Sequence, residues 1–286
     1  MQPRSLGTHD GSFHADEVTA AALLLVFNRI DRDSIIRTRN IEQLQECEYV
    51  CDVGGIYDPS RKKFDHHQVD YQGELSSAGM VLLYLFEEGI IDEKKFHFLN
   101  QSLVRGVDAH DNGRVTFEPG FCSFSQVISN FASPIYDPPE IVMRKAFDEA
   151  VNFATGHVKR LIDRYDYVEQ CRISVEEAME RGSKVLVFDR AMPWMDVFFE
   201  MGGEKHPALF VVMPSGKHWK LRGIPPNSHE RMKTRLPLPE KWAGLMDDQL
   251  KEAAGIEGAI FCHKGRFISV WETKEDAMKA LEKVLQ

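Results

Sequence analysis

Residues 35–55, IIRTRNIEQLQECEYVCDVGG, place a helical pattern between two short apolar runs. The runs at 35–38 and 49–53 predict strands because they are rich in apolar and β-branched residues. Asn40 can cap the helix predicted over 41–47. A strand, a helix and a strand in succession predict a right-handed crossover and therefore a parallel sheet.

The same alternation extends to both sides of this stretch. A strand ending near Thr8 leads into a polar loop and an apolar helix over 16–27, and a second buried helix is predicted over 77–88. Strand signals then nearly vanish, with helices predicted over 96–107 and 140–171. A capping box that begins at Ser174 predicts one more helix.

Strand patterns return in the last third of the chain. Strong apolar runs and turn residues predict strands over 184–188, 208–212, 217–224, 259–263 and 266–271, and Thr273 caps a terminal helix that runs to 285. The sequence therefore predicts an α/β protein with two lobes. Residues 1–135 would form the parallel-sheet lobe, 136–182 a helical connector, and 183–286 a smaller α/β lobe.

Composition limits the classes of function. The chain has 286 residues, 35 basic and 44 acidic, so its net charge of −9 disfavours a protein that coats DNA by charge alone. No apolar run approaches the ~20 residues that cross a bilayer, and polar sequence from Gly7 predicts no signal peptide. Five irregularly spaced cysteines argue against a disulfide framework, so a cytoplasmic location is expected.

Four clusters of aspartate and histidine occur within the first 113 residues. They contain His9, His14, Asp16 and Glu17; Asp52; Asp65, His66 and His67; and Asp108 and Asp111. Each cluster alone is compatible with a polar turn or a helix cap, and a mixture of imidazole and carboxylate also suits Mn, Fe or Zn. Together they match a two-metal site, which needs about six to seven ligands around ions ~3.5–4 Å apart.

The set of motifs resembles the DHH phosphoesterase superfamily and, more closely, the melanocyte-proliferating-gene family of metal-dependent hydrolases, to which 3′-to-5′ RNA exonuclease activity is ascribed. The resemblance extends from about residue 6 to about residue 280. The segments that carry it are Gly7-Thr8-His9, Phe13-His14-Ala15-Asp16-Glu17, Asp52-Val53-Gly54-Gly55, Asp65-His66-His67, Ser76-Ser77-Ala78-Gly79, Asp108, Asp111-Asn112-Gly113, Arg235-Leu236-Pro237-Leu238-Pro239, Gly255-Ile256, Phe261 and His263.

The resemblance implies two divalent ions, with Mn²⁺ favoured over Mg²⁺. His9 and His14 would hold one ion, and Asp16, His66 and an aspartate of the fourth cluster the other, with Asp52 as the bridge. Asp111 fits the superfamily pattern better than Asp108. His67 would face the substrate phosphate, and Asp65 would orient a neighbouring imidazole. The superfamily normally has an aspartate at the position of His14.

The C-terminal third lacks the Gly-Gly-Gly-His signature of many superfamily members but carries basic side chains around two predicted hairpins. The candidates for phosphate contacts are Arg222, Arg235, His263, Lys264 and Arg266. For any single one of them, a solvated surface position is the simpler interpretation.

The function expected from the resemblance is hydrolysis of phosphodiester bonds through a metal-bridging hydroxide, as a 3′-to-5′ exonuclease on RNA or short oligonucleotides. Two alternatives stay open. One is a small-molecule phosphatase or pyrophosphatase with the same site, and the other is an inactive, metal-containing binding protein. The sequence does not fix the oligomeric state, and it predicts no membrane association.

Overall fold

A computed structural model describes all 286 residues of the chain. The chain divides into two compact units, Met1–Tyr165 and Asp166–Gln286. Each unit contains one five-stranded sheet together with helices, so the mixed α/β class predicted from the sequence is confirmed.

The sheet of the first unit is parallel except at one edge. Its strands are β1 (Gln2–Thr8), β2 (Ile35–Arg37), β3 (Cys47–Cys51), β4 (Tyr57–Asp58) and β5 (Lys63–Phe64), in the order β2-β1-β3-β5-β4. Only β4 runs antiparallel, against β5. The sequence did not predict β4 or β5, because a strand of two residues is too short to leave a period-2 pattern.

Helices cover this sheet with a largely apolar core between the layers. They are α1 (Ala15–Val26), α2 (Ile41–Glu46), α3 (Ser77–Glu87), α4 (Glu93–Leu99), α5 (Arg105–Asp111) and α6 (Phe124–Ser129). Helix α1 is buried from Ala15 to Leu24 and packs against α3, α5 and α6. The helix predicted over 96–107 lies within one helical run from Glu93 to Asp111, in which a π-helical turn at Asn100–Val104 joins α4 to α5.

The second unit holds a mostly antiparallel sheet and is entered through a long helix. Its elements are α7 (Glu140–Glu180), which begins in the first unit, β6 (Val185–Val187), α8 (Met195–Glu200), β7 (Phe210–Ser215), β8 (His218–Gly223), α9 (Asp247–Ala254), β9 (Ala259–Cys262), β10 (Ile268–Trp271) and α10 (Lys274–Leu285). The strand order is β6-β7-β8-β10-β9, and only the pair β6 and β7 is parallel. Thr273 caps α10 as predicted, accepting from the Asp276 amide at 3.1 Å.

The capping box at Ser174 does not start a separate helix. Helix α7 continues without interruption through this position to Glu180. Cys171, Val175, Ala178 and Met179 recur at helical spacing and are buried in the second unit's core. Burial of this continuous apolar stripe keeps α7 helical through Ser174, although Ser174 by itself favours the start of a new helix. Tertiary packing outweighs that capping preference, which is worth about 1 kcal/mol.

The order of the first sheet places three strand ends side by side. Strands β1, β3 and β5 are adjacent and parallel, so their carboxyl ends share one edge. His9 follows β1, Asp52 follows β3, and Asp65, His66 and His67 follow β5. This edge is where open α/β sheets bind ligands.

Candidate metal centre

The first group of side chains gathers around His9. Its Nε2 atom lies 3.2 Å from Glu17 Oε1 and 3.2 Å from Asp52 Oδ2, and His14 belongs to the same group. Candidate ligand atoms of these four residues lie within 4.8 Å of one another. His9 Nδ1 lies 2.9 Å from the Asp10 carbonyl oxygen. A proton held on Nδ1 by that carbonyl directs Nε2 towards the carboxylates, where Nε2 can bind a cation once its own proton is displaced.

Two further groups share Asp52 and His66. One consists of Asp52, His66 and His67, and the other of Asp16, His66 and Asp111. His66 Nε2 lies 3.1 Å from Asp111 Oδ2, 3.5 Å from Asp52 Oδ1 and 3.8 Å from Asp16 Oδ2. Asp52 therefore joins the group around His9 to the groups around His66.

The donor set fits divalent cations. Asp52 Oδ1 and His66 Nε2 are buried and make no hydrogen bond of good geometry, although Asp111 Oδ2 lies 3.1 Å from His66 Nε2. This is costly for buried polar atoms unless another partner satisfies them. Two ligands about 2.1 Å from one ion are separated by about 3.0–3.4 Å at octahedral or tetrahedral angles. The distances around His9 and between His66 and Asp111 are close to this range, and imidazole with carboxylate suits Mn, Fe or Zn.

The ionisation of these groups reflects the density of negative charge. Burial would lower the pKa of His9, but the carboxylates of Asp52 and Glu17 outweigh it and raise the pKa to about 10. Asp111 and Asp52 raise the pKa of His66 to about 10. Burial, followed by repulsion from Asp52 and Asp111, holds the pKa of Asp16 well above its usual range. A bound cation would relieve this repulsion.

Asp65 and His67 form a pair at the rim of the centre. Asp65 Oδ1 lies 2.8 Å from His67 Nδ1 and accepts from the His67 amide at 3.1 Å, while Oδ2 accepts from the Gly55 amide at 2.6 Å. Asp65 is buried, whereas the His67 side chain is 63% exposed. The arrangement fixes the Nδ1 edge of the imidazole and leaves most of the ring accessible.

Asp108 and Asp111 lie on the same helix but have different surroundings. Asp111 approaches His66, while Asp108 is absent from all three groups of candidate ligands. Asp108 Oδ1 instead accepts from the amides of Ser76 and Gly79 at 3.1 and 3.0 Å. Of the two predicted ligands, only Asp111 is brought to the candidate centre.

Two adjoining cavities open over the centre and share His14, Asp52 and His67. One, of about 740 Å³, is also lined by His9, Gly54 and Arg39. The other, of about 430 Å³, is lined by residues that include Asp16, His66, Asp111, His110, Ser125 and Ser129.

The sequence interpretation missed three residues of this region. Glu17 belongs to the first cluster but has no predicted role, although both carboxylate oxygens accept from the His14 amide at 3.0 Å and the side chain is fully buried. A glutamate three residues after a helix cap is a capping-box signal that could have identified it. Ser76 lies in one of the segments that carry the resemblance but was given no role, and Arg39 carried no local signal.

The basic candidates of the second unit occupy varied environments. Arg222 lies on β8, and His263, Lys264 and Arg266 lie at the turn between β9 and β10, where Lys264 is exposed. His263 Nδ1 accepts from the Gly265 amide at 2.9 Å.

Arg235 is engaged within the second unit. Its guanidinium donates to the carbonyl oxygens of His206, Gly203, Ala208 and Pro225 at 2.6, 2.7, 2.9 and 3.1 Å. These bonds give Arg235 an evident structural role, and its phosphate contact stays a prediction.

Comparison with known proteins places the chain in a family. A model of MYG1_exonuc, described as "Uncharacterised protein family (UPF0160)", matches residues 5–285. The chain belongs to this family. The match confirms the resemblance to the melanocyte-proliferating-gene family.

Relatives of the MYG1 family span nearly the whole chain. A "MYG1 protein" of Chlamydia trachomatis is 52% identical over 286 residues, which cover 99% of this chain and 97% of the relative. A human protein named "MYG1 exonuclease" is 31% identical and covers 97% of this chain and 85% of its own length. No helix of the structure has the length and apolar character needed to span a membrane.

Solved structures give weaker similarities. The pGpG-specific phosphodiesterase PggH of a Vibrio species is 14% identical with a TM-score of 0.30, covering 99% of this chain and 97% of its own. RecJ of Thermus thermophilus in complex with Mn²⁺ is 12% identical with a TM-score of 0.29, covering 99% of this chain and 52% of its own. Similarity at this level supports no conclusion about the present chain.

Proposed function

We propose that this chain is a divalent-metal-dependent phosphodiesterase that removes nucleotides from the 3′ end of RNA or short oligonucleotides. The observation that carries the proposal is the convergence of three ligand groups on Asp52 and His66 at the carboxyl edge of the parallel sheet. The chain's membership of the MYG1 family, which has relatives named exonuclease, supports the substrate class.

The ligands divide into two sets. His9, His14 and Asp52 would hold one ion, with Glu17 as a further ligand or as a hydrogen-bond partner of the histidines. The second ion would be held by Asp16, His66 and Asp111, with Asp52 shared between the two. Two such ions, with Mn²⁺ favoured by the nitrogen ligands, would activate water near neutral pH and neutralise charge on the phosphate.

The protein's own residues would bind and orient the substrate. His67 Nδ1 contacts Asp65, so Nε2 is free to donate to a phosphate oxygen and to stabilise the charge that develops on it. Arg39 lines the larger cavity, and its Nε lies 3.2 Å from Asp10 Oδ1. Since its side chain is 65% exposed, Arg39 is available for a second phosphate contact.

The proposal is tested with single-stranded RNA labelled at the 5′ end or at the 3′ end, incubated with the metal-free protein and with the Mn²⁺-loaded protein. A 3′-to-5′ exonuclease shortens the 5′-labelled RNA in a ladder and releases the label from the 3′-labelled RNA as a mononucleotide at the outset. The Asp52→Asn variant is the control for a contaminating nuclease. Activity should require the metal and be lost in the variant.

Three other outcomes would overturn parts of the proposal. Release of the 5′ label as a mononucleotide at the outset, before the RNA is shortened, would reverse the polarity. Turnover of inorganic pyrophosphate or p-nitrophenyl phosphate without cleavage of RNA would favour a small-molecule hydrolase. Anisotropy changes with labelled RNA, without cleavage under any metal condition, would indicate a binding protein.

A further inference from the structure

Two buried carboxylates meet at the beginning of helix α3. Ser76 Oγ lies 2.7 Å from Asp16 Oδ1 and 2.7 Å from Asp108 Oδ1. Ser76 and Asp16 are completely buried and Asp108 is 3% exposed. Asp16 belongs to a candidate ligand group, whereas Asp108 does not. The serine hydroxyl thus connects a ligand to a carboxylate outside the centre.

The same carboxylates cap α3 in place of its own N-cap side chain. Ser76 is the N-cap residue, but its hydroxyl caps no amide of the helix. Asp16 accepts from the Ser77 and Ala78 amides at 3.2 and 2.6 Å, and Asp108 accepts from the Gly79 amide at 3.0 Å. The first turn of α3 therefore holds both carboxylates in fixed positions, since amides there lack helical partners and favour negative charge.

Gly79 makes room for this arrangement. A Cβ atom at this position would lie 2.3 Å from Asp108 Oδ2 and 2.8 Å from its Cγ, so any larger residue must displace the carboxylate. Gly106 lies on α5 two residues before Asp108, and a Cβ atom added there would have no neighbouring atom within 4 Å. The two glycines form a matched pair for substitution.

We infer that Asp108 is a positioning residue for the second ion, acting on Asp16 through the Ser76 hydroxyl and on Asp111 through helix α5. Asp111 follows Asp108 by three residues on α5, so anchoring Asp108 to α3 also fixes the turn that presents Asp111 to His66. The inference rests on the proposed metal-dependent function, but it concerns ion binding and can be measured without a substrate.

The inference predicts that only one of the two ions binds more weakly. Asp108→Asn keeps the size and one acceptor oxygen but removes the charge that Ser76 and the α3 amides contact. We expect the ion of Asp16, His66 and Asp111 to bind about 10–100-fold more weakly, the usual effect of losing a partner behind a metal ligand. The ion around His9 should bind with unchanged affinity.

The experiment is isothermal titration of the metal-free proteins with Mn²⁺, supported by elemental analysis after gel filtration. Asp92→Asn is the control, because Asp92 is an exposed helix cap that accepts from the Lys95 amide at 2.8 Å. It should leave both ions unchanged. Gly79→Ala should reproduce the Asp108→Asn result, and Gly106→Ala should not. The circular dichroism of each variant reports on its folding.

Ser76→Ala provides an independent test should Asp108→Asn not fold, since it removes only the hydroxyl. It should also weaken the binding of one ion. A higher concentration of Mn²⁺ should restore kcat in each variant that binds this ion weakly. Two ions bound with wild-type affinities by Asp108→Asn or by Ser76→Ala would overturn the inference while leaving the proposed function intact. A wild-type protein that binds two ions but cleaves no phosphodiester would contradict the proposed function. The ion-binding measurements would still decide whether Asp108 positions the second ion.

Discussion

Arg235→Ala distinguishes a substrate-binding arginine from a structural one. The guanidinium connects three segments of the second unit by donating to the carbonyl oxygens of Gly203, His206, Ala208 and Pro225 over 2.6–3.1 Å. It also lies over the ring of Phe198 at 5.6 Å. Alanine would leave all of these carbonyl groups without this donor.

The size of the effect follows from these contacts. A hydrogen bond contributes a net of about 0.5–1.5 kcal/mol, and bonds from charged donors contribute more. Arg235 is only half-buried, so water can replace part of the lost partners. Taking about 1 kcal/mol for each of four bonds, we expect the free energy of unfolding of the second unit to fall by about 3–4 kcal/mol.

Urea titration followed by tryptophan fluorescence measures this directly. All 4 tryptophans, Trp194, Trp219, Trp242 and Trp271, lie in the second unit, so their emission reports on that unit. Lys264→Ala is the matched control, since it removes one positive charge from an exposed position of the same unit and should change stability by less than about 0.5 kcal/mol.

The reasoning is refuted by an unchanged urea midpoint together with a raised KM for RNA. That combination would show that Arg235 contacts the substrate phosphate, as predicted from the sequence. A large loss of stability with an unchanged KM in the folded fraction would instead establish the structural role.

Three further predictions concern the centre itself. Asp52→Asn should abolish activity and weaken both ions, because its carboxylate joins the ligand groups, and elemental analysis of the Mn²⁺-loaded protein measures this. His67→Gln should lower kcat by ~10–1,000-fold with metal content intact, whereas His66→Gln should lose an ion. Arg39→Ala should raise KM for RNA by about tenfold, as expected for the loss of a charge-assisted bond worth ~1–2 kcal/mol, without changing metal content.

Each of these predictions has a distinct contrary result. A loaded wild type with at most one ion per chain contradicts the bridging role of Asp52. If His67→Gln loses metal and His66→Gln does not, the roles of the two histidines are the reverse of those proposed. For Arg39 the control is Arg61→Ala, a charge outside the cavities of the centre. If both arginine substitutions raise KM equally, Arg39 attracts RNA only through its general positive charge and makes no specific phosphate contact.

Much of the first unit was predictable because its signals are local. The strand, helix and strand of residues 35–51 appear nearly as predicted, and so do α1 and α3. Each depends on hydrophobic periodicity and caps within about ten residues. The positions of His9 and Asp52 at the ends of strands followed from the same reasoning, because parallel strands end at one edge. The two-residue strands β4 and β5 left no such pattern, although β5 supports the loop that carries His66.

Sequence by itself determined the class of the fold and the family, and it predicted most of the residues that the structure brings together as candidate metal ligands. The resemblance favoured Asp111 over Asp108, and only the tertiary structure supplies the physical reason: Asp111 approaches His66, whereas Asp108 is held against Gly79. It also revealed the buried partner Glu17 and the carbonyl groups around Arg235. The physical reason is that local propensities act between neighbours in the chain, whereas the surroundings of a side chain depend on how distant segments pack.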